Sequence, residues 1–118
     1  MATQQTATTL FVENNGVRYG HRRFGKESGV PLLFLQHFRA TIDWWDPAVI
    51  NPLALTRPVI LFDNAGVGHS SGTVPDSFLG MAKHVIAFLS VLRIIEVDIL
   101  GFLLVAVLHN LLLWRLRV

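Results

Sequence analysis

Val59-Ile60-Leu61-Phe62-Asp63-Asn64-Ala65-Gly66-Val67-Gly68-His69-Ser70-Ser71-Gly72 decides how the chain folds. The apolar run from Val59 to Phe62 is what a strand covered on both faces requires. A polar, glycine-rich turn follows at once. That turn is no phosphate cradle, because it lacks both the dinucleotide fingerprint and the lysine of a P-loop. Asp63 reads as the anchor of the turn, its carboxylate accepting backbone hydrogen bonds, rather than as a catalytic acid. Ser70 and Ser71 read as loop hydrogen-bonders, since neither stands in a strained strand-to-helix turn.

Working outward, Leu32 to Gln36 is a second apolar run of the same kind, and Val97 to Phe102 a third. Upstream, Thr9 to Glu13 and Val17 to Phe24 flank Asn14-Asn15-Gly16, a hairpin signal that opens the sheet with two antiparallel strands. Lys26-Glu27-Ser28-Gly29 is a loop. Between the buried strands, Trp44 to Leu55 is helical at least in part, broken by Pro47 and Pro52. Asp76 is the expected N-cap of a helix in which Phe78, Met81, Ala82, Val85, Ile86, Leu89 and Leu92 recur at helical spacing through to Arg93. The β-α-β-α-β alternation makes this an α/β protein with a doubly wound sheet. A chain of 118 residues supports one domain at most. Residues 1–8 are expected to be disordered, residues 9–102 to form the folded part, and residues 103–118 an apolar C-terminal helix.

Composition is globular: 52% hydrophobic, 15% charged and a net charge of +2, without repeats or low-complexity tracts. The basic group Arg18, Arg22, Arg23 and Lys26 has no interleaved aromatic stacking platform, so it reads as a solvated strand face and not as a nucleic-acid site. With no cysteine there is neither a disulfide framework nor a thiol nucleophile, which suits a reducing compartment such as the cytoplasm. The first eight residues lack the basic start and apolar core of a signal peptide. None of the five histidines stands at metal-ligand spacing from another histidine or a carboxylate, so neither a metal nor a cofactor is expected, and His84 reads as a surface or edge residue.

Taken together, Leu32-Leu33-Phe34-Leu35-Gln36-His37-Phe38, Asp43-Trp44-Trp45-Asp46-Pro47, the loop from Asp63 to Gly72, and Val97-Asp98-Ile99-Leu100-Gly101-Phe102 resemble the N-terminal half of an α/β-hydrolase in order and in spacing. The resemblance covers about Phe11 to Phe102. It implies the spatial strand order first, second, fourth, third, fifth, with the fifth strand as an unpaired apolar edge open to self-association or aggregation. It also places the nucleophile elbow, G-x-S-x-G, at the end of that strand. Gly101 supplies the first glycine, but Leu103 fills the nucleophile position and Val105 that of the second glycine. Leucine has no heteroatom to attack a carbonyl. By the same resemblance the backbone N–H groups of Phe38 and Leu104 would form the oxyanion hole, His37 would belong to its loop, and Gly66, Gly68 and Ser70 would be structural. The triad acid and histidine follow the nucleophile in chain order, so they are expected in a C-terminal half that these residues do not include. The implied parent would hydrolyse a small ester, lactone or related acyl substrate.

After Phe102 the family pattern stops. One nucleotide lost after the Phe102 codon would account for this, because each original codon would then be the third base of one present codon plus the first two of the next. Restoring a T before a CTC codon for Leu103 gives Ser, and the following codons can read Leu, Gly, Gly. His109 followed by Asn110 forces Gln or stop, so S-L-G-G-x-V-A-Q can be recovered. Two other readings stay open. Leu103 to Leu113 can be a genuine buried helix, or Ile99 to Trp114 a membrane anchor, although sixteen residues interrupted by His109 and Asn110 fall short of the roughly 20 apolar residues a span needs. Two function classes follow: a truncated, inactive hydrolase-like chain, or a non-catalytic protein docking onto another chain through its half-sheet and apolar tail.

Overall fold

The computed structural model describes residues 2–35, 41–102 and 111–117. Its strands are β1 (Leu10–Asn14), β2 (Val17–Gly25), β3 (Leu32–Leu35), β4 (Pro58–Phe62), β5 (Glu96–Phe102) and β6 (Leu111–Arg117), and its helices are α1 (Pro47–Ala54) and α2 (Phe78–Val91), with a single 3-10 turn at Ile42–Trp44. The strands form one sheet in the order β1-β2-β4-β3-β5-β6. The hairpin turns at Asn15 and Gly16, whose positive φ values of 53° and 79° belong to the mirror-image turn that matches strand twist. β2 runs antiparallel to β4, while β4, β3 and β5 are mutually parallel. The expected order of the first five strands is therefore the observed one.

Alternation along the central strands divides the core into two layers. Leu33, Ile60, Phe62, Val97 and Ile99 pack with Tyr19 of β2 against Val85, Phe88 and Leu89 of α2. On the other face, Leu32, Phe34, Val59 and Leu61 pack with Ile42, Trp45, Ile50 and Ala54 of the α1 region. Helix α1 starts where Asp46 accepts a hydrogen bond from Ala48 N at 2.9 Å, with Pro47 in the first turn. Helix α2 is capped by Ser77, not Asp76: Ser77 is extended and its Oγ accepts from Gly80 N at 3.0 Å, the geometry a cap needs.

Three further expectations are corrected. Residues 2–8 are not disordered. Gln4 is buried, its Nε2 donating to Trp45 O at 2.6 Å and its backbone N–H to Asn51 Oδ1 at 2.9 Å. Residues 111–117, expected within a helix, are a strand; residues 103–110 of that tail lie outside the described residues. β5 is accordingly not an unpaired edge, because β6 pairs with it antiparallel from Phe102 opposite Leu111 to Glu96 opposite Arg117. A free strand edge offers a row of unmet donors and acceptors, and satisfying them outweighs the helix propensity of a leucine run. The register also sets Arg115 opposite Asp98 and Arg117 opposite Glu96, residue types whose opposite charges favour it. Among the described residues, no helix is long and apolar enough to cross a membrane.

Candidate active site

The turn after β4 is built around one carboxylate. Asp63 is fully buried, and its Oδ1 accepts from Ile42 N at 2.7 Å while Oδ2 accepts from His69 N at 3.0 Å and from His69 Nδ1 at 2.9 Å. It thus holds the start of the 3-10 turn and the far end of its own loop at once. Glycines make this possible. Gly66 and Gly68 have φ of +76° and +52°, and a Cβ on Gly68 would stand 2.6 Å from Asp63 Oδ2. Ser70 Oγ donates to Asp63 O at 2.6 Å and accepts from Gly20 N at 2.8 Å, and Ser71 Oγ accepts from Arg18 N at 2.8 Å. Asp63, Ser70 and Ser71 thus each bond backbone groups of the loop or of the segments beside it.

The resemblance puts the elbow position directly after β5. β5 runs into Gly101 and Phe102 beside and parallel to β3, with Gly101 opposite Leu35, so both strands leave the sheet at the same end. That is the end at which Asp63 follows β4. His37, Phe38, Leu103 and Leu104, the oxyanion-loop and nucleophile positions, lie outside the described residues. An open depression of about 360 Å³ lined by Arg23, Phe24, Gly25, Lys26 and Pro58 lies at the opposite end of the sheet, where β4 begins. It has no bearing on the elbow.

The histidines divide sharply. His84 is not a free surface residue: its Nδ1 shares a 2.6 Å hydrogen bond with Tyr19 Oη beneath α2. Burial pushes the Tyr19 hydroxyl above its ordinary value. His21 is buried with Nδ1 unpartnered, its ring edge-on to Phe88 at 5.1 Å. Burial holds its imidazole below the usual range; a backbone hydrogen bond with Tyr19 opposes that shift and the charge of Arg23 adds to it. Sequence reasoning passed over His21, though it shares strand parity with Tyr19, which a face count would have shown. Of the basic group, Arg18, Arg23 and Lys26 are exposed, while Arg22 is tied to Asp43 at 2.8 Å and to Thr9 and Gln4. At the other end of the sheet Arg57 joins Asp98 at 2.7 Å and Val30 O at 2.8 Å. No group of three or more metal-ligating side chains occurs among the described residues.

No protein-family model and no curated protein sequence matches the chain. Solved structures do. An alpha/beta hydrolase fold protein from Chitinophaga pinensis is 44% identical with a TM-score of 0.82, over 86% of this chain and 37% of that one. An epoxide hydrolase from Vigna radiata superposes with a TM-score of 0.69 at 19% identity, over 86% of this chain and 32% of its own. An enol-lactonase from Burkholderia xenovorans gives 0.69 at 18% identity, over 79% and 36%. At such identities the last two speak for the fold alone. The chain spans about a third of the length of these structures, less than the half expected. With its strand order and the 44% identity over 86% of its length to the structure from Chitinophaga pinensis, the chain has the fold of a part of an α/β-hydrolase, about a third of that fold's full length.

Proposed function

We propose that this chain is the N-terminal part of a hydrolase acting on a small ester, lactone or related acyl substrate, and that the 118 residues as they stand perform no serine-type hydrolysis. One observation carries the reading. β5 brings Gly101 and Phe102 to the sheet end beside β3, where the resemblance would start the elbow, and the next residue in the sequence is Leu103. A leucine there can neither attack an acyl carbon nor be activated by a histidine. The substrate class is the one the sequence resemblance implies. The recoverable sequence S-L-G-G-x-V-A-Q supports a one-nucleotide loss as the origin of the change. The docking alternative, through the half-sheet and the apolar tail, has less support, since residues 111–117 of that tail pair with β5.

The test compares two products: the 118-residue chain and the longer product read through after one nucleotide is restored behind the Phe102 codon. A serine-directed fluorophosphonate should label the restored product at the new serine and leave the 118-residue chain unlabelled, and only the restored product should turn over alkyl esters or lactones. Labelling of the present chain, or a stop codon soon after the restored elbow, would overturn the reading.

A further inference from the structure

Asp63 and His69 form an arrangement that the loop's structural role does not require. A carboxylate only accepts hydrogen bonds, so Nδ1 is the donor across the 2.9 Å contact, and in the neutral form of the ring the lone pair stands on Nε2. Asp63 is fully buried while the His69 side chain is 41% exposed, so the ring is gripped from inside and open outside. Among the described residues no group is bonded to Nε2. The ring is also seated from behind: a Cβ on Gly20 would stand 2.6 Å from His69 Cβ, so β2 makes room for it. Beside it lies Phe11, T-shaped with ring centroids 6.5 Å apart, and the Arg18 guanidinium sits 3.8 Å from the centroid of that same Phe11 ring. An oriented imidazole, an exposed aromatic surface and a cation thus converge on one patch.

We propose that His69 is an acyl-accepting nucleophile for activated aryl esters, positioned by Asp63 and independent of the elbow. Nε2 attacks the acyl carbon; the N–C bond forms as the C–O bond breaks, and the aryloxide departs with the electron pair. The acyl-imidazolium is balanced by the Asp63 carboxylate. Water then adds to the acyl carbon, its protons pass to solvent, and the carboxylate product leaves with the imidazole restored. Phe11 offers its ring to the aryl group and Arg18 its charge to the departing aryloxide. An alkyl ester, whose leaving group needs an acid, is no substrate. The site therefore goes beyond the preceding reading and stands or falls separately from it.

The experiment uses p-nitrophenyl acetate with the purified 118-residue chain. Release of p-nitrophenolate should exceed that given by an equal concentration of N-acetylhistidine by about tenfold or more, because the ring is held in one tautomer and orientation. Tandem mass spectrometry of the quenched reaction should place the transient acetyl group on His69. H69Q should bring the rate down to that of free imidazole while H84Q leaves it unchanged. A wild-type rate no higher than N-acetylhistidine, or acetyl only on lysines and the N-terminus, overturns the proposal whether or not H69Q folds. So does an unchanged rate in a folded H69Q.

Discussion

The two faces of the sheet are held by different physics. Beneath α2 the layer is nearly all apolar and aromatic: Phe88 lies 4.4 Å from Phe62 and 6.0 Å from Tyr19 between ring centroids, and its polar groups include His21, the Tyr19–His84 pair and Asn14, which donates to Ala87 O at its margin. On the α1 face the apolar layer is stitched by polar side chains, Gln4, Asp63 and Arg22 bonding the backbone of Trp45, Ile42 and Gln4, and Arg22 also pairing with the Asp43 side chain. Burial without direction can be regained by repacking. A directed bond to a buried backbone group cannot, so the two faces should fail differently.

The largest effect belongs to the first face. Phe88→Ala should cost about 3–5 kcal/mol, read as the loss of urea-unfolding free energy, because it removes the ring on which Tyr19, His21 and Phe62 converge. Asp63→Ala should cost about 2–3 kcal/mol by leaving the N–H groups of Ile42 and His69 unmet. Its damage should be regional, with hydrogen exchange accelerated over residues 41–45 and 64–71 while α2 stays protected. If both variants loosen both faces alike, the contrast is wrong.

A smaller effect separates the faces by pH. The folded state holds His21 below its ordinary value of 6.5, so the unfolded chain binds the extra proton first. Its contribution is present above 6.5 and is lost as pH falls toward the lowered folded value. At the alkaline end Tyr19 acts in the opposite sense, its contribution present below 10.0 and lost as pH rises through its raised folded value. Stability against pH should therefore flatten on the acid side in His21→Leu, and an unaltered slope would remove His21 as its source. Tyr19→Phe, which deletes the bond to His84, should cost about 1 kcal/mol. Asp43→Ala should cost about 0.5 kcal/mol or less and only at low salt, since that carboxylate is mostly exposed.

Legibility followed the same division. Unbroken apolar runs announced β3, β4 and β5, and the Asn14-Asn15-Gly16 turn announced the hairpin, because these features write their own period into the chain. Asp63 could be read as a loop anchor because few other roles suit a carboxylate at the end of a buried strand. Its hold on His69 could not, since that bond depends on where Gly20 of another strand lets the ring sit. Gln4 gave no local signal at all: its buried bonds are to residues far along the chain. β6 was misread for the complementary reason. A leucine run is locally content as helix, and only the waiting edge of β5 makes it a strand.

That antiparallel strand also changes the order in which the molecule can assemble. β3 and β5 meet through residues as distant as Leu32 and Asp98, so their pairing waits for a long loop to close. β5 and β6 are neighbours in the chain, Phe102 standing opposite Leu111, and such a hairpin forms on the microsecond scale, before long-range contacts are made. β6 would thus be among the first strands to pair, and β5 would reach β3 with one side already committed. Any parallel strand seeking that side would have to displace β6, so the β5–β6 hairpin sets a kinetic barrier to enlarging the sheet there.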